Sequence, residues 1–184
     1  MGMPDTARRY TVDEVLAFPP DGNRYELVHG ELLVTPAPKL PHQVTVGEFY
    51  YRIRQYLDKH GSGFQVLLSP ADIRWPHDVL VQPDLFGVPV GELTAEVWSS
   101  VRTLLLAVEV VSPSSARYDR VTKRRVYQDH GVATYWAVDP DVRLVEVWHP
   151  SDDRPEIVTD TLRWRVSPEA EELVIVLEDV FRTP

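Results

Sequence analysis

The apolar positions of this chain switch between a helical and a strand period, and the switches mark out its elements. Thr11 and Glu14 have capping-box spacing ahead of Val15 and Leu16, which predicts a short helix ending before Pro19-Pro20. Two runs of strand-forming residues, 25–28 and 31–34, flank His29-Gly30, where Gly30 can adopt the positive φ of a tight hairpin turn. Beyond the proline-rich stretch 36–41, Val46, Phe49, Tyr50, Ile53 and Leu57 follow a helical stripe, so residues 42–60 form a helix stopped by Gly61.

Three strand candidates follow at 64–68, 80–88 and 104–111. Pro83 interrupts the second and implies an edge or bulge just before Asp84, because proline cannot donate to a ladder. The third is apolar throughout except at Glu109 and stops at Ser112-Pro113, the pattern of a strand buried on both faces. An ionised carboxylate there is costly unless a cation or strong donors compensate it. A second helix is expected over 118–130, then strands over 134–138 and 143–148 about a turn at 139–141, and further short strands over 162–166 and 173–177. No internal repeat or long linker divides the chain, so residues 1–184 read as one α/β domain.

Composition narrows the function classes. The 184 residues contain no cysteine, which excludes disulfides, thiolate metal sites and cysteine nucleophiles. No apolar run is long enough to cross a membrane and residues 1–9 lack a signal-peptide core, so a cytoplasmic location is expected. The net charge of −9 argues against a protein that coats nucleic acid non-specifically. Arg117, Arg120, Lys123, Arg124 and Arg125 nevertheless cluster just after Glu109; alone, such a cluster reads first as a solvated helix face. The histidines lack metal-ligand spacing, and the glycines form no phosphate-binding or dinucleotide loop.

Asp84, Glu109 and Lys123 stand out together. At about 100° per residue, Asp119, Lys123, Val126, Tyr127 and His130 share one arc of the second helix, and Val126 with Tyr127 marks that arc as buried. Lysine is rarely buried without a partner, and this placement brings Lys123 over the sheet edge near Glu109. With Asp84 on a neighbouring strand, two carboxylates would share a pocket, a repulsion that a hard divalent cation relieves. Each residue also has a plainer role: a structural ion pair for Glu109, turn capping for Asp84, an i,i+4 pair with Asp119 for Lys123. Around them, His42 reads as a core histidine within reach of the pocket, and Glu26 and Glu31 as solvated or cross-strand hairpin acids. Tyr127 reads as core, its hydroxyl a candidate to orient Lys123, while Ser112 and Ser114 read as turn residues.

The ordered series Pro83-Asp84, Glu109-Val110-Val111-Ser112-Pro113-Ser114, Arg117, Asp119, Lys123, Tyr127, Gly131-Val132, Tyr135-Trp136 and Val138-Asp139-Pro140 resembles the Uma family of restriction endonucleases. The segment 25–32, with Pro36, Pro38, His42 and Gln43 behind it, resembles that family too, so the likeness covers about residues 24–148. It implies the PD-(D/E)XK nuclease superfamily fold: a mixed sheet flanked by helices in an αβββαβ core, here preceded by a helix and a hairpin. It also implies a DNA endonuclease dependent on Mg²⁺ or Mn²⁺. Asp84 and Glu109 would be metal ligands, the Val110 carbonyl a further one, and Lys123 would position or activate the attacking water; Glu31, His42, Asp119 and Tyr127 would stand behind them. The superfamily's usual lysine position, two residues after the glutamate, is Val111 here, and Lys123 would supply the cation from the next helix. Pairing of subunits in related nucleases implies a homodimer. The competing expectations are a non-catalytic regulatory module that meets a protein partner, and hydrolysis of RNA or a small phosphoester.

Overall fold

The computed structural model describes residues 8–61, 63–93, 98–113 and 115–182. Its first helix, α1 (Val12–Leu16), carries the complete capping box between Thr11 and Glu14. The hairpin follows as β1 (Arg24–Val28) and β2 (Glu31–Thr35), turning through His29 at φ 50° and Gly30 at φ 84°. Next comes the long helix α2 (Leu40–His60), which begins two residues before the apolar stripe requires because Pro41 suits a first helical turn.

The run read as one strand over 80–88 is two strands in two different sheets. After β3 (Phe64–Leu68) and β4 (Ile73–Trp75), β5 (Val79–Val81) pairs with β1 and β4, whereas β6 (Leu85–Pro89) pairs with β3. Gln82, Pro83 and Asp84 form the joint. Proline's missing N–H makes this the point where one ladder can stop and another begin. β4 went unread because three residues cannot display a period of two.

The described residues place β7 (Leu106–Val110), β8 (Thr134–Asp139), β9 (Leu144–Trp148) and β10 (Glu156–Val158) with β6 and β3 in a six-stranded sheet, ordered β10-β9-β8-β7-β6-β3. β7 and β8 run parallel and the other pairs antiparallel, so the sheet is mixed, as expected. A four-stranded sheet, β2-β1-β5-β4, lies beside it. A two-stranded ribbon, β11 (Thr161–Trp164) and β12 (Leu173–Val176), ends the sheet structure close to the expected strands and leads into a short helix, Leu177–Val180.

All five residues of β7 are buried, and their alternation divides the interior. Leu106, Val108 and Val110 meet Phe49 and Ile53 of α2, Trp136 and the C-terminal ribbon. Ala107 and Val111 turn the other way, toward Val126, Tyr127 and Tyr135. Glu109 shares that second side by strand parity. The helix expected over 118–130 is also altered: Tyr118–Lys123 is π-helical and continues directly into α3 (Arg124–Asp129). Asp119, Lys123, Val126 and Tyr127 are still its buried residues, and Val121 is exposed. Among the described residues no helix is long and apolar enough to cross a membrane.

Candidate functional site

The carboxyl ends of the parallel strands β7 and β8 open into a cavity of about 390 Å³, lined by Val110, Val111 and Ser112 after β7 and by Pro140 and Asp141 after β8. Crevices at such strand ends are the usual ligand positions of open α/β sheets. The sharp exit of the chain from β7 is held by Ser112 and Ser115: each backbone N–H donates to the other's hydroxyl oxygen, at 3.1 and 3.3 Å. Ser114, read as a turn residue, lies outside the described residues.

Asp84, Glu109, Asp119 and Lys123 all line this cavity and all are buried. Lys123 Nζ lies 3.1 Å from Glu109 Oε1, 2.8 Å from Glu26 Oε2 and 3.4 Å from Asp119 Oδ1. Lys123 thus reaches Glu109 from the following helix, as the helix arc predicts. Val111 itself is buried and donates its N–H to the Val138 carbonyl at 2.7 Å. Tyr127, fully buried behind the site, donates its hydroxyl to the same Glu109 Oε1 at 2.6 Å. Among the described residues Glu109 Oε2 receives no hydrogen bond.

Asp84 is held differently. Its Oδ1 accepts from both terminal nitrogens of Arg24 at 2.9 Å, and its Oδ2 accepts from the Val110 N–H at 2.9 Å and faces His42 Nε2 at 3.1 Å. His42 is thus a pocket residue rather than a packed core histidine. Among the described residues its buried Nδ1 has no hydrogen-bond partner.

Glu31 is corrected by the structure. It is exposed at the start of β2 opposite Val28 and lies outside the cavity wall. The hairpin acid that enters the site is Glu26, only 1 % exposed, whose Oε1 accepts the Gln82 N–H at 2.8 Å. Strand parity puts Arg24, Glu26 and Val28 on one face of β1 while Leu27 packs against Val15 and Leu80 on the other; Glu31, paired with Val28, shares the first face but stands on the edge strand β2 at the turn, where it is exposed. Arg24 carried no signal of its own in the sequence and Glu26 read as a solvated or cross-strand hairpin acid; the signal available for both was their parity with apolar Val28.

The basic cluster after Glu109 does not form one patch. Arg120 bonds Asp139 at 2.7 Å and Glu146 at 2.6 Å, Arg124 stacks over the Trp148 ring at 4.6 Å, and Arg117 and Arg125 remain at the surface. These arginines brace the helix on the sheet, and Lys123 alone of the cluster turns into the cavity.

The charge balance of the site is uneven. Asp84, Glu109, Glu26 and Asp119 are buried carboxylates, and Arg24 and Lys123 are the permanent cations among them. Burial disfavours charge on Lys123, but Glu109, Glu26 and Asp119 outweigh it and hold the amine protonated. Burial also opposes ionisation of Asp84, and His42 and Arg24 outweigh it, drawing its pKa down to about 2. Glu109 goes the other way: burial raises its pKa well above the usual 4.5, Lys123 offsets this only partly, and Asp84, Glu26 and Asp119 add to it. Because Oε1 already accepts from Lys123 and Tyr127, Oε2 is the oxygen that can take the proton.

The stability of the metal-free protein should therefore bend twice with pH. Asp84, with its pKa lowered from 3.8 to about 2, stabilises the fold above that window and loses its contribution as pH falls through it. Glu109 has the opposite sign: the unfolded chain releases its proton near pH 4.5 while the folded chain keeps it, so stability declines as pH rises beyond 4.5. Thermal melts in chelator from acid to alkaline pH should show a rise and then a fall. A Glu109→Gln variant that keeps the full alkaline fall would refute the assignment.

Oxygen-rich donors suit a hard divalent cation. Among the described residues no three His, Asp or Glu side chains make a ready-made metal group. Mg²⁺ does not require one, because it is usually held by one or two carboxylates, waters and substrate phosphate. The donor set Asp84, Glu109 and the Val110 carbonyl fits that mode, and the excess negative charge of the site favours it.

A family model, Uma2, described as "putative restriction endonuclease", matches residues 12–178. The chain belongs to the Uma2 family. A search of curated proteins found no match. Among solved structures, one similar fold is a crystal structure described as "a putative nuclease belonging to DUF820", from Anabaena variabilis. Its TM-score is 0.76 at 22% identity, covering 94% of this chain and 97% of that one. The Uma2 match extends beyond the 24–148 segment that carried the resemblance, taking in α1 and the C-terminal ribbon.

Proposed function

We propose that this Uma2 protein is a divalent-metal-dependent endonuclease that hydrolyses DNA phosphodiester bonds. The observation that carries this reading is the convergence of Asp84, Glu109 and Lys123 in one cavity whose carboxylates outnumber its permanent cations. Asp84 and Glu109, with the Val110 carbonyl, would hold Mg²⁺ or Mn²⁺. When bound, that ion neutralises phosphate charge and lowers the pKa of a coordinated water. The reaction adds water to phosphorus and breaks one ester P–O bond, leaving a phosphate monoester and a free hydroxyl.

The protein's own groups divide the remaining work. Lys123 stays a cation, so it orients the attacking water and stabilises charge on the phosphate rather than removing a proton. Tyr127 keeps its own proton, pushed well up first by burial and then by Glu109, and it fixes the Glu109 rotamer. Arg24, Lys39 and His42 bring positive or hydrogen-donating groups to the cavity wall despite the overall charge of −9. The N-terminus of α2 opens beside them and has no side-chain cap, an arrangement that favours phosphate.

A second reading has its own observation: Asp84 is already saturated by Arg24, His42 and the Val110 N–H, as in a fold kept for binding rather than catalysis. Mn²⁺-supplemented assays on duplex and single-stranded DNA separate the two. Cleavage is expected with Mn²⁺, lost in chelator and lost in Asp84→Asn. No cleavage together with no Mn²⁺ binding by titration would favour the non-catalytic module.

A further inference from the structure

The Arg24–Asp84 pair is a wall between two cavities. Behind it lies a second one of about 330 Å³, which shares Arg24, Asp84 and the segment Pro36, Ala37 and Pro38 with the first. Its size is at the lower end of the ~300–1,000 Å³ typical of small-molecule sites. Apart from the shared ion pair its lining is uncharged, and Asn23, Gln43, Ser69 and Gln82 supply its polar groups. The two cavities therefore offer different chemistry on either side of one carboxylate: charged in front, neutral and hydrogen-bonding behind.

Two features of the second cavity have no use within the protein. Ser69, a residue of this lining, has a buried hydroxyl with no hydrogen-bond partner among the described residues, which costs free energy. Gly47 sits in the interior of α2, where glycine costs about 1 kcal/mol relative to alanine. A Cβ at Gly47 would meet nothing within 4 Å, so packing does not demand the glycine. Gly47 lines the cavity one turn after Gln43, whose side chain makes no hydrogen bond among the described residues. A bare backbone facing an open cavity is what close approach by a ligand requires.

We propose that this second cavity is the subsite for the nucleoside adjoining the phosphate that is cut. The substrate is then a polynucleotide strand lying across the Arg24–Asp84 wall, with its phosphate in the front cavity and the neighbouring sugar and base behind, against Gly47, Gln43 and Ser69. A small phosphodiester without a nucleoside would fill the front cavity alone. Uncharged amide and hydroxyl groups suit base and sugar edges and would leave a second phosphate unpaired. The proposal rests on the nuclease reading and adds to it a place for the nucleoside beside the phosphate that is cut.

The test compares an oligonucleotide with bis(p-nitrophenyl) phosphate, both with Mn²⁺, in wild type, Gly47→Ala, Gly47→Leu and Gln43→Ala. Both Gly47 variants favour the helix, so Tm should hold or rise. The ratio of kcat/KM for the oligonucleotide to that for the diester should fall by about tenfold or more in Gly47→Leu, through KM, and by less in Gly47→Ala and Gln43→Ala. Equal loss on both substrates, or no change on either, would overturn the subsite while leaving the nuclease standing. A wild type inactive on both substrates would overturn the nuclease reading, and the subsite with it.

Discussion

Replacing Lys123 by alanine should lower Tm by about 6–20 °C at neutral pH, because breaking a buried ion pair costs about 3–5 kcal/mol. The amine touches Glu26, Glu109 and Asp119 at 2.8, 3.1 and 3.4 Å, so its removal leaves three buried carboxylates facing one another. Total stabilities are only about 5–15 kcal/mol, so the variant stands near the edge of folding. The loss should shrink in acid, where Glu109 takes up its proton and one negative charge disappears. A second change, Glu26→Gln, made in the Lys123→Met background, should recover part of the loss, since the two residues are coupled. Additive effects in that cycle, or a Lys123→Ala melt within error of wild type, would show that Lys123 does not balance the site.

Glu109→Gln should separate activity from stability. Glutamine keeps an oxygen where Oε1 now accepts from Lys123 and Tyr127, while the charge that makes Glu109 costly to bury is gone. The metal-free variant should melt at or above the wild-type temperature on the alkaline side. DNA cleavage should fall by about a hundredfold or more, the scale seen when one preorganised electrostatic partner is removed. Such an exchange of activity for stability is the signature of a strained functional group. Retained cleavage would mean that the chemistry lies elsewhere. A destabilised variant with no cleavage to lose would point to a structural ion pair.

The parts of the fold legible in the sequence were those with enough length to show a period. α2, β7 and the buried arc of the helix carrying Lys123 all declared themselves by apolar spacing, and that arc led to the contact between Lys123 and Glu109. Three-residue strands such as β4 and β10 carry no such signal. The four-stranded sheet was harder still, because Pro83 looks the same in a bulged strand as at a change of sheets. That ambiguity hid Arg24 and Glu26, since their burial depends on a second sheet covering the face of β1. Glu31 shares that face through its pairing with Val28; it differs from Glu26 in standing beside the turn on the edge strand β2, whereas Glu26 lies on the inner strand β1. Arg117, Arg120, Arg124 and Arg125 read first as a solvated helix face, and the pattern gave no sign that Asp139, Glu146 and Trp148 take up two of them.

The joint Gln82-Pro83-Asp84 ties the cavity to the completion of folding. Glu26 arrives on one sheet, Glu109 on the other, and Asp84 on the three residues between them. A chain with either sheet unformed has its acidic groups scattered in water, with no reason to gather an ion or hold a phosphate. On the nuclease reading a half-folded copy is thereby disarmed, because the site exists only where both sheets do.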